Sequence, residues 1–217
     1  RYFTSLGTDE RGLYFTQPLM LVVWNSVRFA VASMAIALVV GTMSAYVIAK
    51  RGTRAGLTDA LFMAPLGVSA VTLGVGFLVA FNRGVIDLRG SWVILVVAHA
   101  LVAYPFVIRS VLPVLRGLPP HLKETAAVLG ASPTQVFLHV ELPIIARALL
   151  VGATFAFAVS MGEFGASLLL VRPEFTTIPV AIFRLLGQPG ATNLGQALAM
   201  STLLMAVVTL GFVLIER

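Results

Sequence analysis

The 217-residue sequence has no cysteine and little charge: 11% of its residues are Asp, Glu, Lys or Arg. Without cysteine there is no disulfide framework and no thiolate to act as nucleophile or metal ligand, and the redox compartment leaves no mark on the composition. With so few charges set against 59% hydrophobic residues, a water-solvated globule is excluded, and the chain reads as an integral membrane protein. A Gly-rich loop ending in Gly-Lys-Ser or Gly-Lys-Thr is missing, so the chain does not itself bind ATP by that means. A Gly-x-Ser-x-Gly elbow is missing too, which disfavours a Ser-His-Asp hydrolase. There is no convincing short repeat, low-complexity segment or soluble domain. Residues 1–17 lack the charged start, apolar middle and small-residue cleavage site of a signal peptide, and the chain opens on Arg1; it reads as part of a longer chain.

Against these absences stand five apolar stretches long enough to cross about 30 Å of hydrocarbon at about 20 residues each. They run approximately from Leu19 to Ala49, Leu57 to Phe81, Ser91 to Leu115, Ile144 to Val171 and Leu194 to Ile215. Lys50-Arg51-Gly52-Thr53-Arg54 is short and purely basic, which places it in the cytoplasm. Residues 82–90 then fall outside, 116–143 inside, 172–193 outside and Glu216-Arg217 inside, with residues 1–18 an extracytoplasmic segment. Eight Lys and Arg (50, 51, 54, 109, 116, 123, 147 and 217) lie on the expected inner side and six on the outer, a modest bias of the right sign. The net charge of +6 would suggest nucleic acid in a soluble domain; here it reflects cytoplasmic Lys and Arg, and no nucleic-acid partner is expected.

One polar segment interrupts the apolar runs, Leu118 to Pro143. Pro119 and Pro120 stop the preceding helix, and Pro120 suits the first turn of a new one, where a missing N–H costs nothing. Leu122, Ala126 and Leu129 follow at helical spacing beside Lys123 and Glu124. Gly130 ends this short amphipathic helix by taking the left-handed conformation. Ser132 is a good N-cap, Pro133 fits the first turn, and Gln135 stands where a capping box wants an acceptor. Val136, Phe137 and Val140 give a second short helix an apolar face, and Pro143 is expected to break it and launch the next span.

Glu124, Ala126, Gly130, Val140, Leu142 and Pro143 together resemble the EAA signature of permease subunits of binding-protein-dependent ABC importers: Glu-Ala-Ala, Gly six residues after the Glu, then Ile-x-Leu-Pro. Thr125 stands where that family usually has Ala, and Val140 where it usually has Ile. The resemblance implies an all-α membrane protein with the five-transmembrane-helix core of the type I importer permease (MetI-like) fold over residues 19–217. It also implies that Glu124, Thr125, Ala126, Gly130, Ala131, Val140, Leu142 and Pro143 form a coupling element that docks in a cleft of a cytoplasmic ATPase subunit. ATP hydrolysis would belong to that separate subunit, and this chain would be neither an enzyme nor the holder of a cofactor. The other implied partners are a second permease half or copy, an extracytoplasmic solute-binding protein and the lipid of the cytoplasmic membrane.

Two ionisable residues stand well inside expected spans, Arg28 and Glu163, each some 12 to 13 Å deep at 1.5 Å per residue. Charges there need a partner or a water-filled cavity. Three readings are open: Glu163, within Ser160-Met161-Gly162-Glu163-Phe164-Gly165, lines a translocation path; Arg28 and Glu163 form a buried pair that fixes helix packing; or Arg28 snorkels outward. The Gly-Glu-Phe-Gly string is similar to permeases for thiamine, molybdate and sulfate. His99 has no second ligand at metal-binding spacing and reads as a hydrogen-bonded structural residue. Asn25, Asn82 and Gln196 bond across helices or face the pore.

Between the last two spans, Thr176-Thr177 can cap a short helix, Pro179 suits its first turn, and Ile178, Ile182 and Leu185 share a face before Gly187, which suggests a helix lying at the outer surface. The wording of 172–187 resembles the carboxy-terminal half of thiamine and ferric-iron permeases, which favours those substrates, with molybdate or sulfate as the alternative. A secondary transporter or channel would spread ionisable residues over several helices, and a membrane enzyme would cluster catalytic or metal ligands. Neither pattern is visible.

Overall fold

The computed structural model describes residues 19–50, 55–81 and 91–216, and every regular element among them is helical. The expected extracytoplasmic segment at 1–18 and the connections at 51–54 and 82–90 lie outside the described residues. The first helix, α1 (Leu19–Lys50), has 32 residues, about 48 Å at 1.5 Å per residue and so longer than a bilayer core. Two shorter helices follow, α2 (Ala55–Met63) and α3 (Ala70–Ala80), separated by a 3₁₀ turn at Ala64–Gly67. The next is α4 (Trp92–Gly117), capped by Ser91, whose hydroxyl accepts from the Val93 amide at 3.2 Å.

The α1–α4 seam shows how apolar helices associate when lipid is as apolar as leucine. Ser33, Ala37, Gly41 and Ala45 recur every fourth residue of α1 and are all buried. Small residues at that spacing let backbones approach closely. A Cβ at Gly41 would lie 2.7 Å from the Val107 Cβ and 2.9 Å from the Tyr104 carbonyl, so no larger residue fits. The Ser33 hydroxyl donates to the Val96 carbonyl at 3.0 Å. Ser33 therefore meets Val96, and Gly41 meets Tyr104 and Val107: the two helices run parallel.

That direction decides the second span, which is not the single helix expected from Leu57 to Phe81. The chain bends by 96° between its two halves, because Pro65 and Gly67 sit in the 3₁₀ turn and Ser69 is extended before α3. By length and composition four helices could cross a membrane, or five if the bent pair is one span. Since α1 and α4 are parallel, the chain between them must return across the layer. The bent pair does run back along α4: the Tyr104 hydroxyl donates to the Phe62 carbonyl at 2.7 Å, and farther on Gly74 lies against Ala166, next to the Ser167 that bonds His99.

The fourth span also departs from expectation. Pro143 does not break a helix: Pro133–Val136 (α5b), a π-helical turn at Phe137–Glu141 and α6 (Leu142–Met161) run on without interruption. In the π turn the Leu142 amide reaches back to the Phe137 carbonyl. This wider turn directly before Pro143 relieves the clash and the lost hydrogen bond that proline imposes on a regular helix. At its other end α6 stops at Met161 rather than Val171. It is antiparallel to α4, with Gly152 against Val107 and Ser160 against His99. Matching levels through α4, α6 ends near residue 36 of α1, about 25 Å along the axis from the start of α1 at Leu19. Short pieces fill that distance: α7 (Gly165–Leu170), a 3₁₀ turn at Pro173–Phe175 and α8 (Ile178–Leu186). The chain closes with α9 (Ala191–Glu216), of which only Ala197, Ala199 and Met200 are buried.

Candidate functional site

The bundle has two polar ends. The near end carries residues 118–143 and the Lys50 end of α1; the far end carries the pieces between Met161 and α8.

At the near end, Pro120–Val128 forms α5a with Pro120 in its first turn. Its C-terminus is closed by two crossing backbone bonds, Ala131 N–H to the Ala126 carbonyl and Gly130 N–H to the Ala127 carbonyl, both 3.0 Å. This closure needs a left-handed residue, and Gly130 has φ +85°. Ser132 then opens α5b with a capping box: the Gln135 amide donates to the Ser132 hydroxyl at 3.4 Å, and the Ser132 amide to the Gln135 side-chain oxygen at 2.8 Å. The two helices thus meet at a turn whose polar groups are satisfied from within.

The side chains divide differently from the periodic reading. Leu122 packs against the core of the bundle, but Leu129 is 81% exposed and Val128 87% exposed, because both lie at the tip beyond the part of α5a that touches the bundle. Glu124, Thr125, Gly130 and Pro143 are exposed, while Ala126, Ala131, Val140 and Leu142 are half-buried. A groove of about 400 Å³ runs between Ala126, Leu129 and Gly130 on one side and Gln135, His139 and Val140 on the other. All eight expected coupling residues therefore lie in or beside one projecting helical corner with an apolar tip.

A buried carboxylate stands behind this corner, and the sequence reading missed it. Glu141 is 7% exposed. The Tyr46 hydroxyl of α1 donates to its Oε2 at 2.6 Å, and the Lys123 ammonium of α5a pairs with its Oε1. The ring of Phe137 meets that of Tyr46 edge-on, with centroids 6.0 Å apart. The available signal was a lone acidic residue between Val140 and Leu142 at the mouth of a span, where a charge needs a partner.

At the far end, Arg28 and Glu163 are not brought together. The Arg28 guanidinium lies over the Phe29 ring at 4.8 Å and near the Phe175 ring at 5.9 Å, an arrangement in which the ring quadrupole attracts the cation. Glu163 instead accepts from the Ala166 amide at 2.8 Å and so caps α7. Ser160 is buried and bonds His99 Nδ1 at 2.9 Å, while His99 Nε2 bonds the Ser167 hydroxyl at 2.7 Å. His99 thereby bridges α6 and α7 across the break between them.

The short helix expected between the last two spans is α8, with one face packed on the bundle and Phe183 and Leu186 exposed on the other. Ile178 and Leu185 are buried. Thr177 provides no side-chain cap; the Ile178 amide donates to the Ser26 hydroxyl of α1 at 2.8 Å. Asn25, one residue earlier, donates to the carbonyls of Glu174 and Thr176 at 3.2 and 3.4 Å. Among the described residues no group of three His, Asp or Glu could hold a metal ion.

Comparison with known proteins bears directly on this geometry. Residues 14–217 match the family described as "Binding-protein-dependent transport system inner membrane component". The chain belongs to this family. It is accordingly an all-α, multi-pass inner-membrane protein of the type I ABC importer permease class. A putative 2-aminoethylphosphonate transport system permease protein of Salmonella typhimurium LT2 is 31% identical over 157 residues, covering 72% of this chain and 58% of the relative. A molybdenum transport system permease protein of Escherichia coli K12 is 32% identical, covering 71% and 73%. A sulfate transport system permease protein of Salmonella typhimurium LT2 is 32% identical, covering 69% and 58%. The chain thus spans 58% of the length of the first of these permeases.

Proposed function

We propose that this family member is the transmembrane component of an ATP-driven importer, or half of one, and that residues 118–143 are its cytoplasmic coupling element. The observation that carries the reading is the projecting corner: two short helices set at an angle by a left-handed Gly130, with Val128 and Leu129 exposed at the tip. Isolated apolar side chains on a rigid, internally capped projection suit insertion into a cleft of another protein. ATP hydrolysis then belongs to a separate cytoplasmic ATPase, substrate comes from an extracytoplasmic binding protein, and a second half or copy completes the pore. In this orientation the near end is cytoplasmic, and α1, the bent pair, α4, α6 and α9 are the five spans of a domain running from residue 19 to 217.

For substrate we favour a small oxyanion. The relatives above are named for a phosphonate, molybdenum and sulfate, which supports the oxyanion alternative over thiamine or ferric iron. The wording of 172–187 keeps the thiamine and iron reading as the second one. Uptake into proteoliposomes of molybdate, sulfate and 2-aminoethylphosphonate, against thiamine and ferric iron, separates the two.

The coupling claim is tested at Gly130. A Cβ there would meet nothing within 4 Å, so Gly130→Val acts only through the left-handed backbone, at a cost of about 1 to 2 kcal/mol. The spans should stay folded while ATPase association or transport is lost. Normal association together with normal transport in that variant would refute the coupling element.

A further inference from the structure

We infer that Glu141 is a positioning residue that ties the coupling element to two spans at once; the inference rests on the coupling reading above. Three elements converge on its carboxylate: the π turn that carries it, α1 through Tyr46, and α5a through Lys123. What makes this junction more than a stabilising ion pair is the looseness around it. Neither α5a nor α5b has a fully buried residue. Between them and α1 lies a cavity of about 640 Å³, bounded by Tyr46, Lys123, Ala127, Val136, Phe137 and Glu141. Close packing transmits displacement because packed atoms cannot interpenetrate; an open cavity does not. A force on the tip at Val128 and Leu129 could simply swing α5a into that space. The Lys123–Glu141–Tyr46 chain spans the cavity wall and prevents this, so α5a, α1 and the base of α6 move together. The π turn suits this role, since the extra residue in a widened turn re-aims the side chains around it, and such turns recur at functional positions.

A purely stabilising pair would affect folding; a positioning pair affects the angle of α5a and the productivity of a bound ATPase. The first measurement is therefore a distance. The chain has no native cysteine, so spin labels at Val47→Cys on α1 and Val128→Cys on α5a, both exposed sites, report the angle in one labelled copy of the assembled permease. The native pair should give a narrow distribution. Glu141→Ala and Lys123→Met should each broaden it, and Glu141→Lys combined with Lys123→Glu should narrow it again. The second measurement is ATP hydrolysis by the whole importer, unlabelled. Each single variant should still co-purify with the ATPase but lose stimulated hydrolysis by roughly tenfold, the order of one charge-assisted hydrogen bond, and the charge swap should recover it. Unchanged distance distributions in both single variants, or a swap no better than either, would overturn the inference. If the native chain recruits no ATPase, the coupling reading itself falls, and the distance measurement alone then decides whether Glu141 fixes α5a.

Discussion

The two polar ends of this molecule satisfy their backbones in opposite ways. At the near end every cap comes from the same few residues: Gly130 closes α5a, and Ser132 and Gln135 serve each other. At the far end Glu163 caps α7 locally, but the other caps and bridges come from across the sequence. Ser26 serves Ile178 from 152 positions away, Asn25 reaches the Glu174 and Thr176 carbonyls, and His99 joins Ser160 to Ser167. The environments explain the difference. A projection into water can fall back on solvent, so its capping need only be local. A helix break packed into the bundle has less access to water, so a free donor or acceptor there gains more from a protein partner, although Asn25 Oδ1 and Thr177 Oγ1 have none. The near end is therefore tied to α1 at the Glu141–Tyr46 bond, whereas the far end is sewn to both α1 and α4.

The largest test of this contrast is at His99. Leucine there leaves the Ser160 and Ser167 hydroxyls without their bridge and should destabilise the purified protein by about 2 to 4 kcal/mol, read as a lower unfolding midpoint. Removing the hydroxyls as well, by adding Ser160→Ala and Ser167→Ala, should recover much of that loss, since replacing both partners by apolar groups is far less costly. A triple variant weaker than His99→Leu would show that the bridge is not what holds the break. Ser26→Ala comes next: it deprives the Ile178 amide of its acceptor and should cost about 1 to 2 kcal/mol. Amide exchange should accelerate at the start of α8 and stay unchanged in α5b; acceleration at both ends would erase the distinction. Ser132→Ala should cost less, about 0.5 to 1 kcal/mol as an exposed cap, with faster exchange confined to Gln135 and its neighbours. The smallest expected effect is the coupling between Arg28→Met and Glu163→Gln. Because these side chains hold different partners, their stability changes should add to within about 0.5 kcal/mol. Partial rescue in the double variant would restore the pair that equal depth suggested.

The same contrast explains what could be read in advance. Pro120, Gly130, Ser132 and Gln135 announced the near-end corner because each signal acts within about four residues of its target. The kink between α2 and α3 and the early end of α6 were not anticipated: hydropathy measures length and apolarity, and a bent or interrupted span keeps both. Pro143 misled in the other direction, since proline after a π turn is accommodated. The lone acidic residue at the mouth of the span signals that Glu141 needs a partner but not which one, since Tyr46 is 95 positions away in sequence. Thr177 is the local candidate for the cap, but the Ile178 amide is served by Ser26.

The sequence by itself determined that this chain lives in a membrane, where its long apolar runs lie, and that one polar corner interrupts them. Those properties follow from composition, period and capping chemistry, all written within a few residues. The tertiary structure decided that α1 and α4 are parallel and the second apolar stretch is bent, that Glu163 caps a helix instead of pairing with Arg28, and that Glu141 stands between Tyr46 and Lys123. The reason is the same in each case. In an apolar medium a polar group takes whichever partner packing brings within about 3 Å, whether that partner is 95 positions away, as Tyr46 is from Glu141, or three, as Ala166 is from Glu163.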